Sequence, residues 1–445
     1  MLASLGSFFT KIVRKYLPDA FVFAIGLTVL TFILGIIINN QTPVQMIKHW
    51  GGGLWNLLTF TMQVSLTLVT GYILAHTAPV QKVLKGAAGR VSTPAGAIMA
   101  AGLIAAIASW ISWAFGLIVG ALIARELAKN VKGVHYPLLV AAAYSGFVVW
   151  HAGLSASASL AVATPGHFLE KTMGVVPVTE TIFALPNLVA LILIVVTLPF
   201  MLRMMIPKDA AEIVEFNPGE AATAEVATEK TTVKVDLTLA QRMENSRIGS
   251  AVLGLMMLVY LIYYFSTNGG LTALNLNVIN LSFFTLGILF VKSPKEYVDM
   301  AVAAGKNVAN IIIQYPLYSG IMGMMVGSGL AVTMTGWLVS IATAKTLPLF
   351  AFLSAGMVNM FIPSGGGQWA VQGPIMVSAA QQLGTDVAKV VQAVAWGDAW
   401  TNMIQPFWAI PLLGIAGLTI RDIMGYCTVT LIWTGIIISG VYLIF

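Results

Sequence analysis

The chain has 445 residues, of which 58% are hydrophobic and only 9% are charged. A soluble domain carries roughly 25% charged residues, so neither a water-soluble enzyme nor a disordered protein fits these numbers. The net charge of +6 bears on membrane topology, because Lys and Arg accumulate on the cytoplasmic side. No clustered basic and aromatic face of the kind that holds nucleic acid is visible. The single cysteine, Cys427, excludes an intramolecular disulfide and a multi-cysteine metal site.

In chain order, residues 1–17, with Lys11, Arg14 and Lys15, read as an N-terminal interfacial helix. A bilayer core needs about 20 apolar helical residues. Spans are predicted at 18–38, 54–76, 137–161, 184–206, 248–267, 274–291, 307–329, 387–419 and 423–445. Two further uncharged stretches, 94–124 and 346–385, fit poorly as single spans. The first is broken by S-W-I-S-W-A-F-G at 109–116 and the second by I-P-S-G-G-G-Q-W at 362–369. Pro and consecutive Gly do not continue a helix.

Charge counting favours two re-entrant hairpins. If 94–124 and 346–385 each return to the side they entered from, the N-terminus is cytoplasmic and the C-terminus periplasmic. Then 19 of the 23 Lys and Arg are cytoplasmic, with only Lys48, Lys171, Lys345 and Lys389 outside. The fold expected is an all-α polytopic membrane protein with two inverted-topology repeats, each with a re-entrant hairpin and an interrupted transmembrane helix. The first repeat is 18–206 and the second 274–445. Between them lie a cytoplasmic linker at 207–247, with 13 of the chain's 40 charges, and a linking transmembrane helix in 248–273. A short surface helix is expected at 237–247. Inverted repeats are a hallmark of secondary transporters.

Irregular backbone at membrane depth is tolerated only where protein buries it or water reaches it, so the hairpin tips are the first site candidates. At the second tip, Gly365, Gly366 and Gly367 allow close approach to backbone N–H groups. Ser364 and Gln368 add polar groups, and the helix that starts there presents a positive dipole end to an anion. At the first tip, Ser109 and Ser112 can hydrogen-bond a carboxylate, beside Trp113 and Gly116. The interrupted spans add His151 and Ser155 on one side, and Thr401, Asn402 and Gln405 on the other, where Pro406 would free the Asn402 carbonyl. An ionisable group inside a span needs a reason; Asp398, with Asn402, is the candidate for ion coupling and His151 for contact with substrate. Trp110 and Trp113 can wall an apolar pocket. His76, His135 and His167 share no metal-ligand spacing. The G-L-I-V-G at 116–120 and G-M-M-V-G at 323–327 fit tight helix packing within the chain.

Y-L-P-D-A-F-V-F-A at 16–24, W-G-G-G-L-W-N-L-L at 50–58, W-A-F-G at 113–116, A-T-P-G at 163–166, I-P-S-G-G-G-Q-W at 362–369, Q-P-F-W-A-I-P at 405–411 and R-D-I-M-G-Y-C at 421–427 together resemble the bacterial short-chain fatty acid transporter family. That family is similar to the wider ion-transporter superfamily. The resemblance implies a carrier, in the bacterial cytoplasmic membrane, of monocarboxylates such as butyrate or acetoacetate, whose short apolar tail Trp110, Trp113, Trp369 and Trp400 would cover. It also implies a homodimer, an elevator-like moving domain, no enzymatic activity and no cofactor. The coupling ion stays open between sodium and a proton. No Lys or Arg lies deep in either tip, so helix dipoles, a co-bound cation or a proton must balance the carboxylate. Two other readings are carried. One is a carrier or channel for a different organic anion such as a dicarboxylate. The other is an intramembrane enzyme using Ser364, His151 and Asp398 as nucleophile, base and acid.

Overall fold

The computed structural model describes residues 20–216, 238–360, 362–405 and 407–445. The expected interfacial helix at 1–17, the stretch 217–237 of the linker and Pro406 lie outside these residues. Every regular element among the described residues is helical. The helices used below are α1 (Ala20–Asn39), α2 (Pro43–Gly53), α3 (Leu58–His76), α4 (Ala78–Ala88), α5 (Pro94–Ile111), α6 (Trp113–Asn130), α7 (Tyr136–Ser145), α8 (Ser157–Val162) and α9 (Leu185–Met204). They continue with α10 (Arg247–Thr267), α11 (Leu276–Phe290), α12 (Pro294–Gly327), α13 (Leu330–Ile341), α14 (Leu347–Asn359), α15 (Gly365–Leu383), α16 (Val387–Thr401), α17 (Ala409–Ala416) and α18 (Ile420–Ile444).

Among the described residues, six helical segments can cross a bilayer by length and composition, and α12 with α13 makes a seventh if the bent pair is one span. Burial sorts them. Of an apolar 18-residue stretch within Tyr136–Val162, 94% is buried, so it runs through the protein centre. In the corresponding stretch of α10 only 17% is buried, and its apolar side chains, Val252 and Val259 among them, face outward. A helix this apolar with so little protein around it is solvated by lipid.

The two broken stretches are both helical hairpins. α5 stops at Ile111 because Ser112 is extended (φ −159°, ψ 133°), and Ser112 also opens α6. Gly116 packs on Ser109 and Gly120 on Ala105, pairs centred on the same turn, which is the register of antiparallel arms. In the second hairpin Ser364 is extended and its Oγ accepts the Gly367 N–H (3.4 Å), capping α15. Across the arms the Gln368 side chain donates to the Ala355 carbonyl (2.9 Å) and that of Gln372 to Ser354 Oγ (3.1 Å). The segment at 137–161 is interrupted as well: α7 gives way to a tighter 3-10 turn at Gly146–Ala152, then to loop, then to α8. α16 ends at Thr401 and α17 starts at Ala409.

Several elements differ from the sequence expectation. The span placed at 307–329 starts at Pro294, where Ser293 caps the helix by accepting the Glu296 N–H (3.2 Å). At about 1.5 Å per residue its 34 residues outrun a bilayer core. A further helix, α13, follows it at 75°; Gly329 makes the corner with φ +77°, a conformation that costs glycine nothing. The short helices α2 and α4 each begin with a proline in the first turn, where no backbone N–H is lost. The surface helix of the linker is Leu239–Glu244, held by a capping box between Thr238 and Gln241. The glycines at 323 and 327 pack on Gly53 and His49 of α2, within the chain.

Candidate functional site

The extended backbone at Ser112 and at Ser364 leaves the first amides of α6 and α15 without partners from within their own helices. One of these is taken up locally: the Trp113 N–H donates to Ser155 Oγ (2.7 Å). The first hairpin is also tied to the loop after the 3-10 turn, because the Trp110 carbonyl accepts the Leu154 N–H (2.7 Å). Such closure needs Gly153, whose Cα lies against the Trp110 backbone with no room for a side chain.

Both hairpin tips border one cavity of about 180 Å³. Trp113 and Ala114 come from the first tip, Pro363 and Ser364 from the second. α3 supplies Leu68 and Tyr72, α6 adds Leu117 and Ile118, and α12 supplies Asn310, Ile311, Gln314 and Tyr315. Phe407 and Trp408 close it from the gap between α16 and α17. The wall is mostly apolar. The Trp113 and Trp408 rings meet edge to face with centroids 5.0 Å apart, a favoured aromatic geometry. Polar groups gather on one edge, where the Tyr315 hydroxyl and Ser364 Oγ are 3.0 Å apart. Pockets for drug-sized ligands run about 300–1,000 Å³. This one suits a molecule of a few heavy atoms.

Directly behind the second tip lies a buried polar set. His151 Nε2 is 3.8 Å from Asp398 Oδ1, with both side chains 1% exposed. That separation is too long for a hydrogen bond. Neither Asp398 oxygen has a hydrogen-bond partner among the described residues, and the same holds for Asn359 Oδ1 and Asn402 Nδ2. Gly365 packs on the His151 ring, Gly366 on Phe60 and Tyr315, and Gly367 on Tyr318. The glycine run thus lets α15 begin against four aromatic or imidazole rings.

The remaining expected residues have other partners. Asn402 accepts from the Trp150 indole on Oδ1 (2.9 Å), and its carbonyl accepts from the Tyr144 hydroxyl (2.7 Å). Thr401 Oγ1 donates to the Gly356 carbonyl (3.0 Å). Gln405 Oε1 accepts the Phe407 N–H (3.1 Å). Gln368 is turned inward to Ala355 and Gln372. Ser109 and Ser112 are buried, their hydroxyls without a hydrogen-bond partner among the described residues, beside Gly116 and Gly71 respectively, and neither lines the cavity. Of the four tryptophans expected to cover a tail, only Trp113 lines it. Trp400 donates to the Leu431 carbonyl (2.7 Å) and packs at a tilt against Phe352, while Trp369 lies against Gly373. Tyr315, Phe407 and Trp408 take their place. The Q-P-F-W motif marked Phe407 and Trp408, whereas Tyr315 carries no signal apart from its position on α12. No group of three His, Cys, Asp or Glu side chains suited to a metal is present among the described residues.

Asn402→Ala is expected to destabilise the protein by about 1–3 kcal/mol, the cost of a buried donor left unpaired, because the Trp150 indole loses its acceptor. Thermal unfolding in detergent measures it.

Over 95% of this chain and 98% of the other, the structure is similar to that of the YdaH transporter of Alcanivorax borkumensis, with a TM-score of 0.57 at 13% sequence identity, so the likeness is one of fold. A protein of Escherichia coli (strain K12) named "Putative short-chain fatty acid transporter" is 42% identical over 437 residues, 98% of each chain. One of the same name from Haemophilus influenzae is 40% identical over 450 residues, 99% of this chain and all of the relative. The family model for short-chain fatty acid transporters matches residues 1–445. The chain belongs to the short-chain fatty acid transporter family, a family of membrane transporters and not of enzymes.

Proposed function

We propose that the protein is a secondary carrier moving short-chain monocarboxylates, of the butyrate and acetoacetate class, across the bacterial inner membrane. The observation that carries this reading is the cavity bordered by both hairpin tips. It is small and largely apolar, it bears the hydroxyls of Ser364 and Tyr315, and among the described residues no Lys or Arg lies on its wall. A four-carbon acid divides the same way, with a charged head and a short tail. A dicarboxylate would bring a second charge against an apolar wall, and an unpaired charge at bilayer depth costs several kcal/mol. The enzyme reading lacks its nucleophile–base contact: Ser364 Oγ is bonded to the Tyr315 hydroxyl, and neither His151 ring nitrogen has a hydrogen-bond partner among the described residues.

In this reading the hairpins 94–124 and 346–385 are re-entrant, one from each side, within inverted repeats 18–206 and 274–445. The matching order of elements in the two halves supports it: two spans, a hairpin, an interrupted span, a final span. The hairpins and interrupted spans form a transport domain that moves in an elevator-like way against the other helices, in a homodimer. The N-terminus is cytoplasmic, as is the end of α12 that carries Lys292 and Lys295. The Asp398 carboxyl, with Asn402 one turn on, couples transport to a sodium ion or a proton, and His151 and Ser364 stand between that group and the cavity.

Purified protein in liposomes is expected to accumulate labelled butyrate when a sodium or a proton gradient is imposed separately, one of the two sufficing. Excess acetoacetate should compete and succinate should not. Flat uptake of several short acids under either gradient overturns the reading, and so does succinate competing as well as butyrate.

A further inference from the structure

Tyr72 borders two cavities. One is the central cavity; the other is a polar vestibule of about 650 Å³ that includes His76, Lys292, Glu296 and Asp299. Both are lined in part by α3 and α12, which pack against each other, and Tyr72 is the lining residue they share along the groove between those helices. On α3 the groove residues are Leu68, Tyr72 and His76, four apart and so on one face. On α12 they are Gln314, Asn310, Ala303 and Asp299, spaced by four, seven and four, again one face. From Gln314 to Asp299 this stripe is roughly 22 Å long at 1.5 Å per residue.

Tyr72 stands at the waist of the groove. Its ring is stacked on His76, with centroids 4.3 Å apart and planes at 28°. The preceding residue, Gly71, lies against Ser112 and Ala114 of the first hairpin tip, so close backbone contact sets where the ring begins. In the vestibule Lys295 is held by Asp299 (2.9 Å), while the Lys292 side chain is exposed on its wall. Phe60 sits 5.8 Å from Phe168 and 6.0 Å from Tyr315, ring centroid to centroid. This row of rings stands between the central cavity and a recess of about 100 Å³ at Phe168 and His167.

We propose that Tyr72 is the gate on the access route between the vestibule and the central cavity, its ring leaving His76 to let a small carboxylate pass. The identity of the cargo rests on the function proposed above; the groove and its gate do not.

The test uses thiol accessibility. The native Cys427 is buried and is replaced by Ala. Leu68→Cys then reports from the cavity side of Tyr72 and Ala303→Cys from the vestibule side. A membrane-impermeant thiol reagent bearing a sulfonate is applied to either face of sealed vesicles. Ala303→Cys should label promptly from the Lys292 face. Leu68→Cys should label more slowly from that same face, severalfold faster with Tyr72→Ala and slower with Tyr72→Trp. Thermal unfolding in detergent unchanged from that of the Leu68→Cys parent shows that both Tyr72 variants are folded. Labelling of Leu68→Cys that ignores residue 72, or that comes only from the opposite face, overturns the gate. Butyrate plays no part in this readout, so failure of the gate and failure of the butyrate reading are separate results.

Discussion

Asp398→Asn is expected to abolish gradient-driven accumulation of substrate while leaving the fold as stable as before, or more so. The carboxyl is 1% exposed, and neither of its oxygens is hydrogen-bonded among the described residues. A group kept for stability would have donors around it, as Asn187 does: its Oδ1 accepts from Gln392 (3.0 Å) and from the Trp396 indole (2.8 Å). Replacing an isolated buried carboxyl by an amide of the same shape removes a desolvation cost and no bond, so thermal unfolding in detergent should hold or rise. Function should respond in the opposite direction. A charge at bilayer depth is a matter of about 3 kcal/mol, which corresponds to roughly a 100-fold or greater loss of coupled uptake. The two measurements are made on the same purified protein in detergent and in liposomes. An Asn variant that accumulates substrate normally removes Asp398 from the coupling mechanism. A variant that unfolds instead makes the residue structural.

Composition alone placed the chain in a membrane, and the hairpin breaks were legible because Ser-Trp-Ile-Ser and Pro-Ser-Gly-Gly-Gly interrupt otherwise uniform apolar runs. What lay beyond reach depends on how helices are rotated against one another. Tyr315 and Tyr72 each sit in an ordinary-looking apolar helix, and only the packing of α12 on α3 turns both toward the cavity. Proximity to a motif misled in the other direction. Gln368 and Thr401 lie within the marked segments, yet their side chains bind the chain's own carbonyls at Ala355 and Gly356. A buried polar residue next to a helix break has two demands to choose from, the ligand and the freed backbone, and one-dimensional spacing does not tell them apart. The corner before α13 was missed for a simpler reason: Gly327, Ser328 and Gly329 are a brief punctuation inside a long apolar run.

Gly365→Ala is expected to lose uptake as well, but with the stability effect reversed. Gly365 does not have a positive φ, so alanine meets no backbone strain there. The obstacle is contact. A Cβ at this position would fall on Nε2 and Cε1 of His151, with Trp150 Cη2 at 3.0 Å behind them. Neither ring has slack, since both are buried and their centroids are already 3.4 Å apart. Overpacking of this kind costs about 1–3 kcal/mol. Gly26→Ala is the control: nothing lies within 4 Å of its added Cβ, and in α1 the change should be neutral or gain about 0.5–1 kcal/mol. The decisive measurement is a double-mutant cycle. His151→Ala alone removes a packed ring and should destabilise. In His151→Ala/Gly365→Ala the new methyl group occupies space the ring has left, so the two penalties should fall short of their sum by about 0.5–3 kcal/mol. Thermal unfolding reads that coupling, and uptake should stay lost in all three variants because each displaces or deletes the imidazole facing Asp398. Strictly additive penalties would mean that the glycine turn and His151 do not touch in the working protein, and the second hairpin tip would no longer be what sets the position of that pair.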